Sequence, residues 1–203
     1  MIALVDYGLG NVQAFANIYR RLNIPVTTAQ TPEALASADK LVLPGVGAFD
    51  WAMTRLNESG MRECLQDLAV KQKRPVLGVC VGMQMMAGRS EEGDLPGLGW
   101  IMGEVRRFDE KSFTAKTRLP HMGWNEALPK AASGLFRNLD APRFYFLHSY
   151  YFECDKDDDV IAFTDYNGRF ASAVGSGNIY GVQFHPEKSH RFGIELLKNF
   201  AEL

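Results

Sequence analysis

The residue types in this chain that could carry nucleophilic catalysis are a thiol at Cys80, an imidazole at His185 and a carboxylate at Glu187. A nucleophile needs a base to take its proton, and the base needs a third group to orient it. Cys80 sits in Gly78-Val79-Cys80-Val81-Gly82, which has the form of a nucleophile elbow with cysteine in place of serine. The flanking glycines have a mechanical role. Where a strand turns sharply into a helix, backbone meets backbone and a Cβ would clash. The tip residue is pushed into a strained conformation with its side chain exposed. A helix starting behind the sulfur offers N–H groups and a positive dipole end to a thiolate or an oxyanion. From this stretch alone a second reading stands, a buried structural cysteine beside two packing glycines.

His185 and Glu187 close the run Ile179-Tyr180-Gly181-Val182-Gln183-Phe184-His185-Pro186-Glu187. It reads as a strand entering an extended segment, because a residue before proline is biased away from the helical region. In extended chain, residues i and i+2 point to the same side. The Glu187 carboxylate is therefore expected beside the His185 imidazole. His121, His148 and His190 are the competing bases. None of them has a carboxylate two residues on in an extended run. His190 is expected exposed at a helix start, and His121 and His148 read first as polar strand residues.

The elements that must position these groups follow from the hydrophobic pattern. Residues 2–5 form an apolar strand leading into Asp6-Tyr7-Gly8-Leu9-Gly10-Asn11, then a helix with Val12, Phe15, Tyr19 and Leu22 on one face. That glycine loop lacks the third glycine of a dinucleotide fingerprint and the Lys-Ser/Thr pair of a phosphate loop. A second strand is expected over 24–28, and Thr31-Pro32-Glu33 has the form of a helix start. A third strand at 41–43 ends in Pro44-Gly45-Val46-Gly47-Ala48-Phe49, with a helix near 49–56 and another over 61–71 carrying Cys64 in the core. Glycine loops at strand carboxyl ends lie where open parallel sheets place their sites. The strand of the elbow completes four strand–helix alternations, the pattern of a parallel sheet covered on both faces. After Gly88 the pattern changes to strands over 100–108, 118–128, 144–152, 160–166 and 170–174, an antiparallel half expected to continue the same sheet. Residues 155–159 read as a solvated acidic turn rather than a metal loop. A last helix from near Ser189 buries Phe192, Leu196, Leu197 and Phe200. The fold class is α/β: a single domain over 1–203 with a mixed open sheet, a parallel N-terminal half, an antiparallel C-terminal half and helices on both faces.

Composition narrows the function. At 203 residues, 46% hydrophobic and 23% charged with a net charge of −2, the chain has no basic excess that would suit nucleic acid. No apolar run approaches the ~20 residues that cross a bilayer. The N-terminus has neither the charged region nor the cleavage site of a signal peptide. Three widely spaced cysteines, Cys64, Cys80 and Cys154, argue against a disulfide framework and against a zinc site of the CxxC kind, and fit a reducing cytoplasm.

Gly78-Val79-Cys80-Val81-Gly82-Met83-Gln84 together with His185-Pro186-Glu187 resembles the class I (triad) glutamine amidotransferases, a family of flavodoxin-like fold, over nearly the whole chain. Within it, the segments at 6–11, 44–49, Pro120-His121-Met122-Gly123-Trp124-Asn125 and Tyr145-Phe146-Leu147-His148-Ser149-Tyr150 are similar to the glutaminase branch that serves histidine biosynthesis. The resemblance implies that Cys80 attacks the side-chain amide of glutamine, that His185 moves the protons and that Glu187 orients it. A γ-glutamyl thioester would form and be hydrolysed, with no cofactor and no metal. It implies oxyanion donors at the Val81 N–H and in the Val46–Gly47 loop, the latter after a peptide rearrangement. Gln84, Tyr145 and Ser149 would hold the amino-acid end of the substrate. It also implies a (β/α)8-barrel cyclase partner, which receives ammonia through a protected channel and forms imidazole glycerol phosphate and a carboxamide. Asn11, Phe49, Met122 and Trp124 are expected near that interface, though core packing is an equal reading for Trp124. Two rival functions stand: the same glutaminase chemistry feeding pyridoxal phosphate or surface-sugar synthesis, and a Cys-dependent peptidase or stress protein of the wider fold.

Overall fold

Uninterrupted apolar runs form strands that are covered on both faces. In the computed structural model, which describes residues 1–113, 117–130 and 133–203, β1 (Ile2–Val5) and β4 (Val76–Cys80) are buried along their whole length. β3 (Lys40–Gly45) is buried beyond its first residue. With β2 (Val26–Ala29) and β13 (Ile179–Val182) they make a parallel set in the order β2-β1-β3-β4-β13. Helices α1 (Val12–Arg21), α2 (Pro32–Ala36), α3 (Phe49–Glu58), α4 (Arg62–Gln66) and α5 (Val81–Gln84) lie between the strands, and α6 (His190–Glu202) closes the chain. The helix starts follow their sequence signals. Asn11 Oδ1 accepts the Ala14 N–H at 3.2 Å, and Thr31 Oγ1 accepts the Ala34 N–H at 3.3 Å, with Pro32 opening the turn.

The C-terminal half is antiparallel, as its pattern suggests. β12 (Arg169–Ser176) pairs with β13 and with both β11 (Val160–Asp165) and β10 (Tyr150–Cys154). The sheet continues through β6 (Gly103–Arg107) to β5 (Arg89–Ser90), while β8 (Leu128–Pro129) pairs with β11. One part departs from a single continuing sheet. β7 (His121–Glu126) and β9 (Arg143–His148) form a two-stranded sheet of their own. The run 144–152 is therefore two strands rather than one. The chain turns at Ser149, where His148 Nδ1 lies 2.8 Å from the Tyr150 carbonyl oxygen and pins the corner. Phe144, Phe146 and His148 face inward, and Phe144 stacks on Phe184 at 3.8 Å.

Two further boundaries shift for local reasons. Residues 100 and 101 stay outside β6 because their N–H groups bond the Met86 carbonyl at 2.8 and 3.1 Å. The helix expected over 61–71 is α-helical only in its first half and a π-helical turn over Asp67–Lys71. There Asn178 Nδ2 takes the Ala69 carbonyl at 2.9 Å and the Arg74 carbonyl at 2.8 Å, so a side chain interrupts the ordinary ladder.

The register decides where chemistry can occur. Gly45 pairs with Cys80 across β3 and β4, and Val182 pairs with Val79 across β13 and β4. The Gly45–Gly47 loop, Cys80 and the segment leading to His185 thus leave three adjacent strands at one edge. Behind Cys80, α5 folds straight back onto the sheet. A Cβ at Gly82 would lie 1.9 Å from the Leu43 carbonyl oxygen, and one at Gly45 would lie 2.5 Å from the Gly82 nitrogen. Gly82→Ala is accordingly expected to cost roughly 1–3 kcal/mol or more, read as a lowered midpoint in denaturant unfolding. An unchanged midpoint would mean that α5 can be displaced freely.

Candidate active site

Cys80 occupies the turn from β4 into α5 with φ 55° and ψ −114°, a conformation that a side-chain-bearing residue adopts only under constraint. The elbow expected at this position is present. Its side chain is not exposed as the motif suggests: the residue is 5% exposed and sits at the floor of a pocket. α5 is a single turn, so the dipole behind the sulfur is that of one turn only.

His185 and Glu187 meet as the extended spacing implies. His185 Nδ1 lies 2.9 Å from Glu187 Oε1, with both side chains 3% exposed. This leaves Nε2 for the Cys80 sulfur, whose interaction with the imidazole favours the protonated ring. The backbone is fixed as well. The His185 N–H donates to the Tyr145 carbonyl at 2.9 Å, Ser189 Oγ donates to the His185 carbonyl at 2.6 Å, and the Tyr145 N–H donates to Ser189 Oγ at 3.0 Å. Burial disfavours charge on this imidazole. The sulfur and the carboxylate outweigh burial and push it from 6.5 up to about 10. Thiol, imidazole and carboxylate are the group types that a nucleophile, its base and an orienting group require.

The pocket encloses about 290 Å³. Of the residues expected there, Val46, Gly47, Val81, Gln84 and Ser149 line it beside Cys80 and His185. Gly47 has φ +92°, a backbone state that glycine adopts without strain. Tyr145 is placed elsewhere: its ring faces Lys188 Nζ at 5.7 Å and Trp124 at 6.4 Å. It acts on the site through its backbone, by holding His185.

The four residues expected at an interface separate. Phe49 is fully buried, so its side chain is core, and this corrects the expectation. Its N–H donates to Glu92 Oε2 at 2.9 Å. Asn11 is exposed and caps α1. Met122 is 65% exposed, and Trp124 is 41% exposed, stacked on the exposed His190 with rings 5.3 Å apart. The core reading of Trp124 does not hold.

Four groups escaped the sequence reading. Glu92 and Lys188 line the pocket and bring one charge of each sign to it. Burial and, to a lesser degree, neighbouring Asp50 raise Glu92, against the Phe49 N–H bond that lowers it. Nothing in the loop that carries Glu92 marks it. Gln183 donates an amide N–H toward the Cys80 sulfur at 3.8 Å. It stands two residues before His185 on the same extended run, so the alternation that joined His185 to Glu187 also points to it. His121 and His148 are paired rather than independent strand residues: His121 Nδ1 and His148 Nε2 are 2.9 Å apart, and burial lowers them to about 4 and about 3.

Comparison with known proteins agrees with this geometry. The sequence model of the family described as glutamine amidotransferase class-I matches residues 3–203. A Bdellovibrio bacteriovorus protein named imidazole glycerol phosphate synthase subunit HisH is 59% identical, with 100% of both chains covered. A Leptospira interrogans protein of the same name is 52% identical, again over 100% of both. Among solved structures, a glutamine amidotransferase from Thermotoga maritima superposes with a TM-score of 0.64 at 18% identity, covering 99% of this chain and 82% of that one. At that identity the likeness concerns the fold.

The three free cysteines provide a chemical test of the site. Burial and, next, nearby Asp67 raise the Cys64 thiol, and burial with nearby aspartates pushes Cys154 up to about 12. Limited iodoacetamide treatment near pH 7, read by peptide mass spectrometry, is expected to label Cys80 well ahead of the other two. Preferential labelling of Cys64 or Cys154 would remove Cys80 as the reactive thiol of the site.

Proposed function

The chain belongs to the class-I glutamine amidotransferases, and on that premise we propose that it is the glutaminase subunit of an imidazole glycerol phosphate synthase. The observation that carries the reaction is the buried chain Cys80–His185–Glu187 at the floor of a pocket that also holds Glu92 and Lys188. An amino acid carries an ammonium and a carboxylate at one end. Glu92 and Lys188 supply the complementary charges, with Gln84 and Ser149 as uncharged polar partners on the same wall.

The Cys80 sulfur attacks the side-chain carbonyl carbon of glutamine, and the carbonyl π pair moves to oxygen. The Val81 N–H and the Val46–Gly47 peptides are the donors for that oxyanion, where one preorganised donor is worth about 3–4 kcal/mol. The carbon–nitrogen bond then breaks as His185 passes its proton to the leaving nitrogen, and ammonia departs. A γ-glutamyl thioester remains on Cys80. His185, now neutral, takes a proton from water as the water attacks the thioester, and glutamate leaves with the thiolate restored. Glu187 keeps the proton-bearing Nδ1 facing it throughout, so Nε2 serves both transfers.

Ammonia becomes protonated in open water and loses its nucleophilicity, so it is passed directly to a partner. The partner is a (β/α)8-barrel cyclase subunit, which uses the ammonia to form imidazole glycerol phosphate and a carboxamide in histidine biosynthesis. The exposed Met122 and Trp124, with Asn11 at the start of α1, are the part of the surface offered to it. Relatives named as subunits of that synthase, at least 50% identical to this chain over their full length, support this assignment. Free thiols suit the cytoplasm as the place of work.

Glutamate release by the purified chain, measured alone and then with the cyclase subunit and its nucleotide ligand, tests the assignment. Low activity alone that rises steeply with both is expected. Strong activity unaffected by the cyclase would keep the chemistry and move the chain to another synthase. Glu187→Gln should lower kcat by about 10³–10⁴-fold, because an amide presents its own N–H to Nδ1 and favours the wrong tautomer. Glu92→Gln should raise KM for glutamine with a smaller change in kcat, and an unchanged KM would place the substrate's ammonium elsewhere.

A further inference from the structure

Gln183 is fully buried at the end of β13, with its backbone N–H on the Ser172 carbonyl at 2.9 Å. A buried amide must find partners for its polar atoms. Its Nε2 donates to the Cys80 sulfur at 3.8 Å, and its Oε1 accepts from Gln84 Nε2 at 3.0 Å. Gln84 Nε2 also donates to the Tyr150 carbonyl at 3.2 Å. That carbonyl also lies 2.8 Å from His148 Nδ1, and His148 is held by His121. With His148 Nδ1 as the donor to a carbonyl, its Nε2 must accept, so His121 Nδ1 carries the proton.

The amide orientation of Gln183 follows from the same logic. Both donors of Gln84 are committed, one to Tyr150 and one to Gln183. The atom of Gln183 facing Gln84 is therefore its oxygen, and the atom facing the sulfur is its nitrogen. A buried N–H aimed at a sulfur stabilises the anion more than the thiol. The titratable groups that face the sulfur are His185, backed by Glu187, and Tyr7. Tyr7 donates its hydroxyl to the Pro44 carbonyl at 2.8 Å. Gln183 is an uncharged donor to the same sulfur.

We propose that Gln183 is a second catalytic hydrogen-bond donor to the Cys80 thiolate, and that Gln84 on the pocket wall fixes its orientation. Gln183 then offers a hydrogen bond to negative charge on the sulfur whenever the thiol proton has left. Gln84 lines the pocket and orients Gln183 at once. Substrate contact on that wall and the aim of the nucleophile therefore share one side chain. The inference rests on Cys80 being the nucleophile but not on which amide it attacks.

The test reads the sulfur directly, without glutamine. The rate of Cys80 alkylation by iodoacetamide is followed against pH by peptide mass spectrometry for the parent chain, Gln183→Glu and Gln183→Met. Gln183→Glu keeps the acceptor for Gln84 and replaces the donor with an anion. Its alkylation midpoint is expected to rise by about one pH unit or more, with Gln183→Met between it and the parent. Glutamine turnover in Gln183→Glu is expected to fall at least about tenfold in kcat with KM nearly unchanged. Midpoints equal to that of the parent in both folded variants would overturn the proposal. Should the variants fail to fold, the side-chain amide nitrogen resonance of Gln183 in the unmutated chain decides. It must titrate with Cys80 and shift on alkylation, and an amide signal indifferent to both overturns the proposal equally. Loss of the glutaminase reading would appear as a normal alkylation profile with no glutamate release.

Discussion

Everything at this site depends on one close contact of backbone with backbone. The turn after Cys80 is pressed so tightly against β3 that a Cβ on Gly82 would fall 1.9 Å from the Leu43 carbonyl oxygen. No side chain fits between. The contact forces the chain through the left-handed region at Cys80, a state that costs on the order of 1–3 kcal/mol for a residue with a Cβ. The same contact fixes the direction of the thiol, since a residue with no alternative backbone conformation has few alternative side-chain directions. A strained cysteine persists because the strands on either side of β4 over-determine its position. β3 supplies the Gly45–Gly47 loop in register with Cys80, and β13 supplies the run to His185.

The electrostatics follow from that placement. An imidazole this deeply buried would by itself be neutral at pH 7, as His121 and His148 are, both drawn well below 6.5 by burial. His185 departs in the opposite direction because two partners face its two nitrogens. Buried histidines thus serve two purposes in this fold. The His121–His148 pair is uncharged and structural, fixing the corner between β9 and β10 and hence the Tyr150 carbonyl. His185 is instead held charged, between the Cys80 sulfur and the Glu187 carboxylate.

The parts of this arrangement that the chain states locally were legible. β1, β3 and β4 are apolar runs with no other reading, the elbow is written in five consecutive residues, and Leu196, Leu197 and Phe200 of the last helix face inward as their spacing requires. His185 and Glu187 are joined by simple alternation. What was not legible depends on pairing between distant segments. His121 meets His148 only because β7 pairs with β9 in that register. Phe49 looks like a surface aromatic beside a glycine loop, yet α3 turns it into the core and presents its N–H to Glu92 instead. Tyr145 belongs to a segment whose resemblance points to the substrate. Its neighbours Phe144 and Phe146 face the core, which sends its ring to the opposite side, toward Trp124 and Lys188.

The glycine loop after β3 shows how a rigid site can retain one adjustable part. Its start is fixed twice over: the Tyr7 hydroxyl holds the Pro44 carbonyl, and Gly10 packs so closely on Pro44 that a Cβ there would fall 2.7 Å from the proline ring. Its end is fixed by α3, whose first residue Phe49 is buried and tied to Glu92. Between these anchors, Val46 exposes its side chain and Gly47 has no side chain at all, so no packing energy selects one orientation of the peptide that joins them. Rotating a peptide flanked by glycine exchanges an N–H for a carbonyl at the same place with little change elsewhere. The orientation of the Val46–Gly47 peptide is therefore the part of the pocket wall that the core enforces least. Asn11 and Gly10 adjoin the fixed end of this loop on the same exposed edge. A protein docked on that edge would rest on the anchor of the peptide whose orientation completes the site.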